Sequence, residues 1–461
     1  MDKPLLSIRP REAVVIAGIV VALMGVMMIG LGFMPHLALV VILCVMFGFG
    51  RYKGLSFDVM QQGMAKGVGS GIGAIYLFFF IGLLVVALMM SGAIPTLMYH
   101  GFDVISPNTF YLSAFALTSV VGIALGSSLT TCATIGVAFM GMAGVFGANP
   151  AIAAGAIVSG AFFGDKMSPL SDTCSIAAST VGIDLFEHIR NMMYTTVPAW
   201  LLSAAVFFVL SGNSNANLDE VSALQTLLAQ SGLVHYMAFV PLVLLLVLIV
   251  LKVNAIYTII LSTITAIGIS YLHSATGIGE LGGYLFGGFK APESLGMVAG
   301  LLSRGGLSSM FFSLTIVILA LSLGGLLHTL GILPALLDGM KHLLTKPSRA
   351  IAAAAFTGLG VNVLIGEQYL SLLLTGSAFA PLFAKFGLHP KNLSRTLEDA
   401  GTVINPLVPW SVCGVFISGV LDVGVLSYLP YALFCYLCFV LTLIFGLIGF
   451  TITKINPATT S

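Results

Sequence analysis

Two carboxylates, a lysine and several hydroxyls flank a proline inside one apolar part of the chain. The stretch 164–175 has the sequence GDKMSPLSDTCS and carries Asp165, Lys166, Pro169 and Asp172. A charge at the bilayer centre costs about 2.5–3.5 kcal/mol on insertion scales, so charged groups in such surroundings indicate a function. Because proline has no N–H, Pro169 leaves the carbonyl of Asp165 without its helical donor. The pattern therefore predicts a helix interrupted at a functional site.

An interrupted helix with these side chains offers the oxygen ligands that a hard cation prefers. We expect Asp165 and Asp172 to bind Na+, with protons competing for the same carboxylates. The other members of this candidate cation and proton site are Ser168, Thr173 and Lys166. The alternative is a structural kink held by an ion pair between Asp165 and Lys166, but such a kink has no need of Asp172.

The composition predicts an all-α polytopic membrane protein. Of the 461 residues, 58% are hydrophobic and 8% are charged, and the mean hydropathy is +1.09. A soluble domain carries about 25% charged residues. We expect the lipid bilayer as a partner. A net charge of +1 gives no argument for nucleic acid, and no motif calls for a cofactor or for a metal other than Na+.

Apolar runs divide the chain into two halves, 1–210 and 233–461, joined by a polar linker over 211–232. A bilayer-spanning helix needs about 20 residues. The predicted unbroken spans are 13–34, 37–50, 74–90 and 193–210 in the first half, and 233–251, 255–272, 307–330 and 429–452 in the second.

Each half also contains an apolar segment with a polar middle, 109–146 in the first and 350–386 in the second. Each segment is either two full spans or a re-entrant hairpin, and the matched polarity of the two middles favours re-entrance. The candidate groups for a substrate or ion at these hairpin tips are Ser127, Ser128 and Thr130, and Asn362, Glu367 and Gln368.

The two halves repeat each other at an offset of 240 residues, or of 239 where Gly92 matches Gly331. The matching pairs include Gly126 with Gly366, Pro150 with Pro390, Pro169 with Pro409, and Ser171 with Ser411. Interrupted segments at corresponding places in two halves are the best sequence indication of a transporter's binding site. We therefore predict two inverted repeats of about five spans, each with a re-entrant hairpin and a proline-broken helix, the latter over 151–181 and 396–420.

The second broken helix adds polar groups of its own. Asn405 stands where the first half has Asp165, and Thr402 precedes it. Pro406 and Pro409 free the carbonyls of Thr402 and Asn405 from helical bonding. Glu398 and Asp399 lie near the cytoplasmic mouth in this topology, where they are either a proton-relay pair or a solvated helix start.

The distribution of Lys and Arg predicts that both termini are cytoplasmic. With the hairpins re-entrant and the N-terminus inside, all of the 18 basic residues fall on the cytoplasmic side except Lys166, Lys290 and Arg304. This agrees with the excess of positive charge found in cytoplasmic loops.

The two broken helices resemble a known family. The motifs GDKMSPLSDT at 164–173 and LEDAGTVINPLVPWSVCG at 397–414 are similar to those of the NhaC family of bacterial sodium/proton antiporters, which includes a sodium-lactate/malate-proton exchanger branch. The resemblance implies an inner-membrane secondary transporter with elevator-type movement against a dimeric scaffold, and hence a homodimer. Cys174, Ser175 and Ser411 depart from the family pattern, which leaves the identity of the substrate open.

These observations predict Na+/H+ antiport by alternating access. The alternative is Na+- or H+-coupled exchange of a small organic acid or amino acid, with the hairpin tips binding its carboxylate. A channel has no need of two matched broken halves. An intramembrane enzyme is disfavoured because the sequence contains neither H-E-x-x-H nor G-x-S-x-G.

Overall fold

The computed structural model describes residues 6–212, 218–274, 276–291, 299, 302, 303, 305–341 and 346–455. Arg304 and part of the predicted linker, 213–217, lie outside the described residues. The described part of the chain is helical, with an isolated antiparallel bridge between Leu388 and Lys454.

Among the described residues, nine helices are long and apolar enough to cross a membrane, or up to 11 if each of two bent pairs counts as one span. The nine are Pro10–Gly30, Pro35–Tyr52, Ile72–Met90, Pro107–Leu125, Ser128–Val145, Leu185–Ser211, Ala255–His273, Leu307–Thr329 and Pro347–Ile365. The bent pairs are Pro390–Leu407 with Val412–Leu421, at 44°, and Val425–Tyr431 with Leu433–Ile448, at 58°. The predicted class, an all-α polytopic membrane protein, is confirmed.

Two helices differ most from their predicted bounds. The first is longer than predicted because its polar first turn is not part of an apolar run. The predicted span 193–210 is the second part of Leu185–Ser211, whose start is capped by the Asp184 side chain. Over 233–251 the regular α-helix covers only Val240–Val250, after a short 3-10 turn. Shorter helices that the apolar pattern did not indicate are Phe57–Ser70, Ala93–Val104, Leu218–Gln230, Ile278–Gly287 and Ile332–Lys341.

Both predicted hairpins turn at the same kind of residue. Helix Phe110–Leu125 ends at Gly126, with φ +63°, and helix Pro347–Ile365 ends at Gly366, with φ +76°. Glycine adopts this left-handed conformation without the steric cost that other residues meet. The next residue caps the following helix, since Ser127 Oγ accepts from Thr130 N at 3.3 Å and Glu367 Oε2 accepts from Leu370 N at 2.7 Å.

The two broken helices also correspond element by element. The first consists of Pro150–Met167 and Asp172–Val181. The second consists of Pro390–Leu397, a π-helical turn Glu398–Thr402, a 3-10 turn Asn405–Leu407, and Val412–Leu421. Ser171 and Ser411 cap the second part of each, and Gly182 and Asp422 end it in the left-handed region. This match supports the predicted repeat, while its inverted orientation stays a prediction.

Close packing holds the first hairpin against the first broken helix. Gly122 and Gly164 lie opposite each other with backbones in contact, so a Cβ at Gly164 would fall on the Gly122 backbone. Small residues permit this approach of two membrane helices. The contact sets the tip at Gly126 beside residue Asp165.

Candidate functional site

Asp165 is the centre of the candidate site. Its carboxylate is only 5% exposed and lies between the first hairpin tip and the break in the first broken helix. Oδ2 accepts from Ser128 N at 3.2 Å and from Ser128 Oγ at 2.8 Å, and Oδ1 accepts from Ser171 Oγ at 2.6 Å. Two groups that the sequence suggested separately, the broken helix and the hairpin tip, therefore form one site.

Hydroxyl groups continue outward from this carboxylate. Thr173 Oγ1 lies 3.0 Å from Ser171 Oγ, and Thr130 Oγ1 donates to Ser127 Oγ at 3.0 Å. Ser168 is buried and its Oγ accepts from Leu170 N at 3.2 Å. Thr173 thus extends the chain of hydroxyls that begins at Asp165, and hydroxyl oxygens are ligands that a hard cation can use.

Asp172 has different surroundings from Asp165. It is exposed in the first turn of Asp172–Val181. Helix Asp172–Val181 packs against Gln368–Lys385, so the second hairpin reaches the same region. The two carboxylates of the predicted cation site thus differ in burial, with one enclosed and the other accessible.

The expectation of open backbone carbonyls at the breaks is wrong for two residues. The carbonyl of Asp165 accepts from Ser168 N at 3.2 Å, and that of Asn405 accepts from Val408 N at 3.1 Å and from Ser411 Oγ at 2.5 Å. The chain turns tightly after each helix end, which brings a later donor to the carbonyl that the proline leaves unpaired.

Lys166 does not pair with Asp165, so that version of the structural kink is wrong. Its ammonium forms an ion pair with Asp399, and both side chains are fully buried. Thr195 Oγ1 donates to the same carboxylate at 2.9 Å, and Thr442 Oγ1 also donates to it. Asp399 is therefore a satisfied counter-ion that joins the second broken helix to the first.

Glu398 is equally buried, so a solvated helix start is wrong for both acidic residues. The π-helical turn that begins at Glu398 packs against both helices of the second hairpin, which excludes solvent from it. Within the described residues, neither carboxylate oxygen of Glu398 makes a hydrogen bond of good geometry, and the Thr402 hydroxyl lies near enough to interact with it.

In the second half, the hydrogen bonds of the Asn405 side chain give it a structural role. Its Nδ2 donates to Asn362 Oδ1 at 2.8 Å and to the Gly366 carbonyl at 3.3 Å, and its Oδ1 accepts from Cys413 N at 3.0 Å. Asn362 in turn donates to the carbonyl of Gly401 at 2.6 Å. The amide that corresponds to Asp165 thus fastens the second tip to its broken helix and leaves little capacity for an ion.

One side chain at the tip of the second hairpin has a polar atom without a hydrogen-bond partner among the described residues. Glu367 caps its own helix, as described above, whereas the buried side-chain oxygen of Gln368 has no hydrogen-bond partner among the described residues. Sequence reasoning did not assign roles to Ser171, Thr195 and Thr442. Only Ser171 had a signal, its match with Ser411 across the repeat.

Comparison with known proteins gives the family. A model of the Na+/H+ antiporter family matches residues 160–450, which include the breaks of both broken helices. The chain belongs to this family. It is 38% identical over 440 residues to the Na(+)/H(+) antiporter NhaC of Alkalihalophilus pseudofirmus, covering 95% of both chains.

Two further relatives have organic substrates in their names. The Malate-2H(+)/Na(+)-lactate antiporter of Bacillus subtilis is 30% identical, with 95% of this chain and 94% of the relative covered. The Arginine/ornithine antiporter ArcD of Halobacterium salinarum is 33% identical, with 88% and 84% covered. These relatives are antiporters, which agrees with a multi-pass membrane transporter, and the predicted resemblance to the NhaC family is confirmed.

Proposed function

We propose that the chain exchanges Na+ for H+ across the bacterial inner membrane, with Asp165 as the group for which the two ions compete. The observation that carries the proposal is the enclosed carboxylate with three donors, from Ser128 and Ser171, at the junction of the first tip and the first break. When Na+ enters, the two hydroxyls rotate and present oxygen lone pairs to it. When a proton replaces Na+, the carboxyl becomes neutral and the hydroxyls re-form their bonds. One site that holds either ion gives antiport without a separate proton path.

Alternating access in this proposal is a movement of the hairpins and broken helices as one body. Its support is the set of buried contacts that tie them together, the ion pair of Lys166 with Asp399 and the amide pair of Asn362 with Asn405. We propose that the remaining spans form a dimeric scaffold for an elevator-like movement, and that both termini are cytoplasmic. Glu398, buried beside this body, is the candidate for proton relay.

The second candidate function is exchange of a small carboxylate or amino acid coupled to Na+ or H+. Its support is the unpartnered, buried oxygen of Gln368 at the second tip, together with the substrates in the names of two relatives. A side-chain amide at a helix N-terminus suits the carboxylate or amino group of such a substrate.

Proton flux in proteoliposomes separates the two functions. The purified chain is reconstituted under a pH gradient, and Na+ is added alone, then with malate, lactate, arginine or ornithine. Saturable proton movement with Na+ alone is the result expected from Na+/H+ antiport. Movement that begins only after an organic substrate is added would transfer the assignment to the exchanger.

A further inference from the structure

A second cluster of potential ligands is fully buried and includes Glu398, the candidate for proton relay. It consists of Cys174 on helix Asp172–Val181, His188 on helix Leu185–Ser211, and Glu398 at the start of the π-helical turn. One ligand atom from each side chain, a sulfur, a ring nitrogen and a carboxylate oxygen, lies within 4.8 Å of the other two. All three residues are 0% exposed.

Several polar atoms of the cluster have no hydrogen-bond partner of good geometry among the described residues. Within the described residues, His188 Nε2 and both carboxylate oxygens of Glu398 have no hydrogen-bond partner. Leaving a buried polar group unsatisfied is unfavourable, so three such atoms in one place indicate a missing ligand. His188 Nδ1 lies 2.9 Å from Ser394 Oγ. This hydrogen bond fixes the orientation of the imidazole ring and leaves Nε2 as the free nitrogen.

The types of ligand atom select the class of cation. Thiolate and imidazole are the ligands of Zn2+ and its borderline-soft neighbours, whereas Na+ and Mg2+ prefer oxygen. In a tetrahedral zinc site the ligand atoms are about 3.3–3.6 Å apart, as bond lengths of 2.0–2.3 Å require. The cluster therefore needs a contraction of about 1 Å, and three protein ligands leave the fourth position for water.

The charges of the cluster also fit a divalent ion. A thiolate from Cys174 and a carboxylate from Glu398 balance two positive charges, and a neutral complex avoids the cost of a net charge in a buried site. The nearby ammonium of Lys166 is already neutralised by Asp399. In the free site the Cys174 thiol donates to the Lys166 carbonyl at 3.2 Å, a weak bond that a metal–sulfur bond can replace.

We propose that Cys174, His188 and Glu398 bind a divalent transition-metal ion of the zinc class. The ion would connect two helices of the first half to the second broken helix, and Cys174 also contacts the backbone of Asp165 and Lys166. Occupation of the site fixes these elements relative to each other, so zinc inhibits movement of ions through the neighbouring site.

Metal binding is measured directly on the purified full-length chain in detergent. Because Cys44 is exposed and the other five cysteines are buried, Cys44→Ser is the background for all variants. The variants are Cys174→Ser, His188→Gln and Glu398→Gln, and the control is Cys435→Ser, a buried thiol outside the cluster. Equilibrium dialysis against Zn2+ with elemental analysis gives affinity and stoichiometry, and Co2+ absorption reports a thiolate ligand.

The expected result is one Zn2+ per chain in the background and the control, with at least about tenfold weaker binding in each cluster variant, the range found for lost metal-site interactions. The cobalt–thiolate charge-transfer band is present in the control and absent in Cys174→Ser. No stoichiometric Zn2+ in the background, or equal binding in the folded cluster variants, would overturn the proposal. Monodisperse elution identifies folded variants. If His188→Gln or Glu398→Gln does not fold, Zn2+ binding by Cys174→Ser, the smallest change, decides the test.

Discussion

At the scale of single residues, equivalent positions of the two halves differ in their hydrogen bonding. Asp165 is held by side-chain and backbone donors that leave it able to exchange them for an ion. Asn405, its counterpart, has both polar atoms engaged in holding the second tip. In the proposed mechanism the first half therefore binds the ion, and the equivalent position of the second half has a structural role.

Substitution of Ser171 tests the hydrogen bond to the carboxylate. In the proposed mechanism Ser171 Oγ turns from a donor to Asp165 into a ligand of Na+, so Ser171→Ala removes an oxygen from the Na+-bound site. The apparent KM for Na+ should rise about tenfold, the change that about 1.4 kcal/mol of lost binding gives. Ser411→Ala is the matched control, because it removes the equivalent helix cap, at a cost of about 1 kcal/mol, without touching a carboxylate. Sodium-dependent proton flux measures both variants. Equal KM values in the two would contradict the role of Ser171.

The residues of this site were predictable from the sequence, but their grouping was not. Asp165, Ser128 and Thr173 were each candidates because polar groups in an apolar span indicate function. Ser128 was assigned to a separate site because a sequence does not show the contact between a hairpin tip and a helix 37 residues later. The contact of Ser171 with Asp165 was not predicted, because the sequence does not show that its hydroxyl both caps a helix and donates to that carboxylate.

At the scale of elements, one buried ion pair connects the two broken helices. Lys166 and Asp399 are 233 residues apart in the chain, and Phe434 and Cys438 also contact the ammonium. The sequence suggested Asp165 as the partner of Lys166 because the two are adjacent. Adjacent residues of a helix point in different directions, however, and the π-helical turn carries Asp399 to the ammonium.

Loss of one partner of this pair should destabilise the fold. Lys166→Met leaves a buried carboxylate, and removal of one partner of a buried pair costs about 3–5 kcal/mol. The double variant Lys166→Met with Asp399→Asn should recover most of that loss, because no uncompensated charge remains. Thermal unfolding in detergent measures both.

The control for this experiment is Lys391→Met, which breaks a partly exposed pair with Glu187 at 3.3 Å. Such pairs contribute about 0–1 kcal/mol, so its melting temperature should change little. Additive effects of the two substitutions in the double variant would show that the buried pair does not act as a unit.

At the scale of the whole molecule, the sequence predicted the class and the repeat, and the helix bounds agree with both. The breaks occur at Gly126 and Gly366 and after Met167 and Leu407, where glycine and proline had indicated them. Amphipathic helices such as Phe57–Ser70 could not be predicted from apolar runs, since their polar faces lower the local hydropathy.

Labelling of introduced cysteines tests the orientation. Lys252 and Lys290 are both exposed, and the excess of basic residues predicts that they lie on opposite sides of the membrane. In a Cys44→Ser background, Lys290→Cys should react with an impermeant maleimide in intact cells, whereas Lys252→Cys should react only after permeabilisation. The reverse labelling would place the termini outside.

The most direct measurement is sodium-driven proton flux in proteoliposomes that contain Asp165→Asn. The account predicts flux no higher than in protein-free liposomes, because an amide neither binds a proton nor neutralises Na+. Asp172→Asn is the control, since Asp172 is exposed and should retain flux with a higher KM for Na+. Both variants must elute as monodisperse protein. Normal flux in Asp165→Asn would contradict the assignment of the shared ion site.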